Sequence, residues 1–261
     1  KPDPRQVIPV QQLYPEARPW PDPLAIYDDL DLPDGPPHRP YVLVNMVSTV
    51  DGKVTMGRGA IKEPIGSKVD HGLMARLRAP VDAVLRGAGT VRAYDVPPRV
   101  PDEYAERRQA RGLPAQPLPV VITGSCDLPL DARFFREAPR RPLVLTRRAA
   151  PADKVEAVQQ VADVAFAGEE KVEMRAALAL LRERYGIRRL LSEGGPTVNF
   201  AMLEAGVVDE LFWTVAPKIV GDEGDKTMVM GPHPLEPLVR LSLASAFFHE
   251  GELYLRYHVL D

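Results

Sequence analysis

Between Arg188 and Gly221 the chain reads RRLLSEGGPTVNFAMLEAGVVDELFWTVAPKIVG, a segment that few folds accommodate. An apolar run ends at Ser192 and is followed by Glu193, Gly194, Gly195 and Pro196. Val198, Met202, Leu203 and Val207 then repeat at helical spacing. Gly206 stands where a C-cap glycine belongs. The pattern predicts a strand, a Gly-Gly turn, a helix over Thr197–Glu204 and a second strand within Glu210–Val220. Glycines at such a turn let a ligand approach the backbone, and the uncapped helix start suits a phosphate. Glu193 would face the same crevice, at the carboxyl ends of the strands. The same residues also make an ordinary turn with Pro196 at the first helical position. They are not the G-x-G-x-x-G fingerprint, and the chain has no Walker motif.

A second segment repeats the arrangement. In VDAVLRGAGTVRAYDVPP, Val81–Pro98, a buried-strand pattern over Val81–Leu85 runs into Gly87, Ala88, Gly89 and Thr90. A short helix is expected from Val91, and the Thr90 hydroxyl suits a cap or a phosphate oxygen. Two glycine turns after two strands suit the two ends of one dinucleotide. A third piece, YVLVNMVSTVDGKVT from Tyr41 to Thr55, is an apolar strand closed by Asp51-Gly52.

Further strands are expected at Val120–Thr123, Leu143–Leu145 and Val164–Ala165. Helices are expected at Ser67–Arg78, Glu103–Arg111, Ala152–Val161 and Val172–Tyr185. This alternation implies right-handed crossovers and a mainly parallel sheet. Val239–Phe248 and Leu253–Val259 flank a hairpin turn, so the sheet ends antiparallel. Eleven of the 28 prolines fall before Tyr41, which points to an extended N-terminal arm, residues 1–39, ahead of a domain spanning 40–261. Its apolar residues, Trp20 among them, suggest that the arm packs on something. The run Arg107–Arg111 reads as a solvated helix face, with phosphate binding as the alternative.

The sequence has one cysteine and five scattered histidines, which exclude an intramolecular disulfide, a thiolate zinc ribbon and a clustered-histidine metal site. A formal charge of −3 gives no broad attraction to nucleic acid. No apolar run is long enough for a bilayer, and a cytoplasmic protein is expected.

The segments STVDGKV, LRAPVDAVLRGAGTV, PLPVVITGS and LLSEGGPTV–VDELFWTVAPKIVG, in this order, resemble the reductase domain of bacterial bifunctional riboflavin-biosynthesis deaminase-reductases, and most of all its stand-alone pyrimidine-reductase-like branch. The resemblance runs from about Arg39 to the C-terminus. It implies an α/β, dihydrofolate-reductase-like fold, a homodimer, and NADPH as the cofactor. The implied reaction reduces the ribosyl group of 5-amino-6-(5-phosphoribosylamino)uracil, with hydride delivered to sugar C1. By matching position, Gly194, Gly195, Pro196, Thr197 and Val198 would grip the cofactor diphosphate. Thr90, supported by Gly87 and Gly89, Val47 near the nicotinamide, and Ser125 near the adenosine phosphate would complete the cofactor site. On the substrate side Glu193 matches a substrate ligand, Arg78 a phosphate-binding arginine, and Lys53 a lysine that touches substrate or assists proton transfer. Apart from the resemblance, Asn45 reads either as pointing from its strand into the cleft or as a satisfied polar residue of the sheet.

One departure stands out. After GTV-x-A the family carries an acidic pair, whereas this chain has Tyr94-Asp95. Asp95 would take the acid's place by a one-residue shift, and Arg99 is the nearest counterpart of a downstream phosphate-binding arginine. The departure keeps two alternatives open: reduction of another heterocycle such as dihydrofolate, and nucleotide binding without catalysis.

Overall fold

A computed structural model describes residues 10–28, 30–57 and 61–260. Its centre is one eleven-stranded sheet. Strand β1 (Val10–Tyr14) and β2 (Arg18–Trp20) precede a 3-10 turn at Pro23–Tyr27. Then come β3 (Tyr41–Thr49), α1 (Lys68–Leu77), β4 (Ala83–Gly87), α2 (Ala88–Ala93) and α3 (Asp102–Ala110). They are followed by β5 (Leu118–Ile122), α4 (Arg133–Arg136), β6 (Leu143–Thr146), α5 (Ala152–Gln159), β7 (Asp163–Phe166) and α6 (Met174–Tyr185). The chain closes with β8 (Arg189–Ser192), α7 (Pro196–Glu204), β9 (Glu210–Ala216), β10 (Arg240–His249) and β11 (Glu252–Leu260).

Across the sheet the order is β2-β1-β10-β11-β9-β3-β8-β4-β5-β6-β7. From β9 to β7 every pairing is parallel; from β9 to β2 every pairing is antiparallel. The mainly parallel sheet with a terminal hairpin is thus as the pattern of alternation implied. Parallel strands need helical cover on both faces, which explains their continuous apolar runs. Val42, Val44, Ala83, Leu85, Val120 and Ile122 pack on one face against Leu178 and Leu181 of α6 and Met202 of α7. The intervening Leu43, Val84 and Leu191 face Leu73 and Leu77 of α1. Farther along that face Val121 and Val144 meet Phe134, Phe135, Val155 and Val158.

Strand ends differ from the expected ones by a residue or two. The run read as Val81–Leu85 forms a strand at Ala83–Gly87, because Val81 is spent on the core beneath α1. The arm is where sequence patterning was least informative. Its residues 10–20 join the sheet, with Gln11 opposite Phe248 and Val10 opposite Trp20. Trp20 packs edge-on to Phe247, with ring centroids 5.6 Å apart. Prolines suit this position because an outermost strand has one side with no ladder bonds to donate.

The segment ending in Gly206 closes α7 with a Schellman motif: Val207 N–H donates to Met202 O at 3.2 Å and Gly206 N–H to Leu203 O at 3.0 Å. Glu252, on β11, fixes the start of α1. Its carboxylate accepts from Ser67 N at 2.8 Å and Ser67 Oγ at 2.6 Å. The same Ser67 hydroxyl oxygen accepts from Val69 N and Asp70 N, as an N-cap does.

Candidate active site

The carboxyl ends of β3, β4 and β8 open onto a cavity of about 550 Å³. Central parallel strands leave such a crevice where neighbouring crossovers diverge. Asn45, Met46 and Val47 of β3 form one wall, and Met74, His71 and Asp70 of α1 another. Gly89, Thr90 and Tyr94 in and after α2, with Glu193 and Gly195, form a third. Arg86, Ala93, loop residues 54–56 and 61–66, and Lys226 complete the lining. The loops at the mouth are fastened by carboxylates. Asp51 accepts from Thr49 Oγ1 at 2.6 Å and from Gly221 N at 2.8 Å, bonds that hold its carboxyl below the usual range. Asp225 accepts from Thr55 Oγ1 at 2.8 Å and Gly57 N at 2.6 Å.

The two glycine turns predicted to act together are joined. Gly194 O accepts from Gly87 N at 2.8 Å and from Thr90 Oγ1 at 3.0 Å. Gly194 has φ +63° and Gly195 φ +114°, conformations that side chains disfavour. A Cβ on Gly194 would also lie 2.9 Å from Met46 Sδ. A Cβ on Gly87 would lie 2.8 Å from Val198 Cγ2, so this glycine serves the packing between the turns. Neither α2 nor α7 has a side-chain cap at its start. The N–H groups of their first turns, in α7 from Thr197 onward because Pro196 has none, therefore remain for an anion. This fits a diphosphate: two helix starts on adjacent strands, one bound to the other through Gly194.

Glu193 is the electrostatic centre of the wall. Its side chain is 5% exposed and lies between two arginines. Arg78 Nε donates to its Oε1, and Arg78 Nη2 to its Oε2 at 2.9 Å. Arg86 donates to Oε2 from Nη2 at 2.6 Å and from Nε at 2.9 Å. Burial by itself would raise the carboxyl's pKa, but the two guanidinium groups outweigh it and hold it down at about 2. Glu193 is thus ionised at neutral pH and has no proton to give.

Asp70 is the opposite case. It lies against Gly66, where a Cβ would meet Asp70 Oδ2 at 2.1 Å. Burial, reinforced by the negative charge of Glu252 and offset in part by a bond to Thr214 and by His71, pushes it up to about 6. This cavity-facing acid keeps affinity for a proton near neutral pH.

The other expected site residues divide. Asn45, Val47, Gly89, Thr90, Glu193 and Gly195 line the cavity. Pro196, Thr197 and Val198 form the first turn of α7 beside it. Arg78 is buried behind Glu193, with its remaining nitrogen donating to Arg99 O at 3.2 Å, so every arm of its fork is committed within the protein. Arg99 is exposed and donates to Glu137 O, away from the cavity. Asp95 is exposed and accepts from Phe134 N at 3.4 Å. Lys53 sits on the mouth loop, bridged to Thr227, outside the cavity wall. Ser125 is exposed at the carboxyl end of β5, its Oγ accepting from Asp127 N at 3.3 Å. β5 pairs with β4, whose carboxyl end opens on the cavity.

Two charged groups of the cavity wall escaped the sequence reading, Arg86 and Asp70. Arg86 carried a signal: a charge inside the apolar run of β4 needs a buried partner. Asp70 carried none, because an acid in the first turn of a helix usually answers the helix dipole.

The sequence profile of the RibD C-terminal domain matches residues 40–249. The chain belongs to the RibD C-terminal domain family. It is 39% identical over 197 residues to the 2,5-diamino-6-ribosylamino-4(3H)-pyrimidinone 5′-phosphate reductase of Archaeoglobus fulgidus, covering 74% of this chain and 87% of that protein. The protein of the same name from Aquifex aeolicus is 30% identical over 229 residues, covering 85% and 98%. A pyrimidine reductase-like protein from Corynebacterium diphtheriae superposes with a TM-score of 0.74 at 24% identity, over 85% of this chain and 92% of that one, which establishes the shared fold. The RibD C-terminal domain thus accounts for the dihydrofolate-reductase-like sheet and for the reductase class, an oxidoreductase of riboflavin biosynthesis.

Proposed function

We propose that this chain uses NADPH to reduce the ribosyl group of a pyrimidine ribosylamine phosphate. The observation that carries the reading is the junction of the two glycine turns at Gly194 O, opening on a cavity walled by Asn45, Met46 and Val47. The N–H groups at the starts of α2 and α7, with Thr90, would hold the diphosphate; Val47 would border the nicotinamide. Ser125, at the β5 end, would sit toward the adenosine phosphate. The cofactor, when bound, supplies a hydride.

The chain's own contribution is positioning and charge. Carbons that exchange hydride must lie close and aligned, in a cleft that excludes water. Met46, Val47 and Met74 provide apolar walls. The ionised Glu193, fixed by Arg78 and Arg86, offers rigid acceptor oxygens to hydroxyl or amino groups of the substrate. Asp70 is the cavity acid suited to hold the proton that accompanies reduction, a role that Glu193, held at about 2, cannot fill.

The names of the similar archaeal and Aquifex proteins favour the 2,5-diamino pyrimidinone as substrate. The uracil counterpart is the second reading, favoured by the LRAPVDAVLRGAGTV and LLSEGGPTV motifs. Turnover is to be followed by loss of reduced-nicotinamide absorbance with each pyrimidine in turn, using NADPH and NADH. Faster oxidation of NADPH with the diamino compound is expected. Oxidation with neither pyrimidine would overturn the reading.

A further inference from the structure

The strand order sets the direction in which a dinucleotide would run along the carboxyl edge of the sheet. Its diphosphate would lie at the starts of α2 and α7, which follow β4 and β8, and its nicotinamide beside Val47 of β3. β3 flanks β8 on one side, and β5 and β6 follow β4 on the other. The adenosine half would therefore cross the carboxyl ends of β5 and β6. Neighbouring strands are about 4.8 Å apart, so β6 lies roughly 10 Å from β4, a span that a diphosphate and one ribose cover. The register agrees. Gly87, at the start of α2, is level with Ile122 of β5, and Ile122 with Leu145 of β6. Gly124, Ser125 and Arg147 come two or three residues after these positions.

Several cations near these strand ends are already answered by carboxylates. Lys154 Nζ pairs with Asp127 Oδ1 at 2.7 Å. Arg92 donates to Asp127 O at 2.8 Å and lies in the field of the same carboxylate. Arg148 pairs with Glu169 at 3.0 Å and rests over the Phe166 ring of β7. Arg147 is different. It is half-buried, and its Nε donates to Gly124 O at 2.7 Å while its Nη1 donates to Glu170 O at 2.6 Å. Both partners are backbone carbonyls, so neither cancels the charge. Among the described residues Arg147 forms no ion pair, and its Nη2 makes no hydrogen bond. The two bonds join the loop after β5 to the loop after β7 and hold the guanidinium beside the Gly124-Ser125 turn. A fork fixed in this way loses little freedom when a ligand arrives. Ser125 is exposed, and its Oγ accepts from Asp127 N at 3.3 Å, which leaves the hydroxyl proton for an outside acceptor.

We propose that Arg147 is a specificity-determining residue that clasps the 2′-phosphate of NADPH together with Ser125, a role that rests on NADPH being the cofactor. Arg147 Nη2 and the second N–H of Nη1 meet the phosphate oxygens, and the Ser125 hydroxyl donates to another. NADH has a hydroxyl at the same ribose position, which leaves the guanidinium charge unanswered. The preference between the two cofactors therefore comes from this charged contact, while the shared diphosphate is held elsewhere, at α2 and α7.

Affinities for NADPH and NADH are to be measured by fluorescence titration of the whole chain and of Arg147→Gln, with no pyrimidine present. The parent is expected to prefer NADPH. In Arg147→Gln the NADPH affinity should fall at least about tenfold, the effect of losing a charged hydrogen bond, while NADH affinity stays the same. Arg147→Lys should fall between the two, because it keeps the charge without the fork. Competition with 2′,5′-ADP should weaken by the same factor as NADPH binding, and competition with ADP should not change. An unchanged ratio of NADPH to NADH affinity in Arg147→Gln would overturn the role of Arg147 and leave the cofactor reading standing. Equal weakening of both cofactors would overturn it as well, since it would reveal only a tie between two loops. A parent that binds neither cofactor, or both alike, would overturn the NADPH reading itself and the role of Arg147 with it.

Discussion

Replacing Glu193 with Gln removes one negative charge from between two buried positive ones and changes almost nothing in shape. The structure sets the size of the effect. The carboxyl is held at about 2 against an ordinary 4.5, and at about 1.4 kcal/mol per pKa unit this corresponds to about 3 kcal/mol. Breaking a buried ion pair by removing one partner costs a similar amount, about 3–5 kcal/mol. For a chain of this length, each kcal/mol moves Tm by roughly 2–4 °C. Glu193→Gln should therefore melt about 6–12 °C below the parent at pH 7. Its pH dependence distinguishes this cause from a general packing defect. A carboxylate with a depressed pKa stabilises fully above its unfolded value, and that stability is lost as pH falls through its folded value. The gap between parent and variant should thus be constant above pH ~5 and close as pH falls from about 4.5 toward about 2. Differential scanning calorimetry over that range measures it. Equal Tm at pH 7, or a gap indifferent to acid, would refute the assignment of Glu193 as the ion-paired keystone of the wall.

Gly194→Ala places a side chain at φ +63° and a Cβ 2.9 Å from Met46 Sδ. Strain of about 1–2 kcal/mol and a shifted turn should weaken reduced-cofactor binding about tenfold, read by fluorescence titration; unchanged affinity would show that the turn does not hold the cofactor. Asp70→Asn tests the proton-holding acid. Because the folded-state pKa of Asp70 is raised from 3.8 to about 6, the parent loses about 3 kcal/mol of stability as pH rises through that interval, and the variant does not. Urea midpoints should favour Asp70→Asn by more at pH 8 than at pH 4, and its kcat should lose the pH dependence near 6; the same midpoint difference at both pH values would sink this account.

The local parts of the site were legible because they rest on short-range rules. A strand that runs into glycines and then a short helical stretch is recognisable from composition and spacing, and both glycine turns were read this way. The hairpin at His249–Glu252 was readable for the same reason. The arm strands were not: β1 lacks a strong alternating pattern, and its place is set by β10, which lies more than 200 residues later. Arg78 and Arg99 show the limit for a single side chain. Sequence position gives an arginine's chemistry but not its direction, and here one fork closes on Glu193 while the other turns to Glu137.

The amino-acid sequence by itself determined the strand–turn–helix units, the parallel core with its antiparallel finish, and the residue types at the two glycine turns, since each depends on neighbours within a few positions. Only the tertiary structure decided the electrostatics. Arg78 and Arg86 meet Glu193 from 115 and 107 residues away, and Asp70 on α1 lies in the field of Glu252 at the start of β11. Whether a carboxylate keeps or sheds its proton depends on burial and on which charges surround it, and the packing of helix α1 against the strands fixes both.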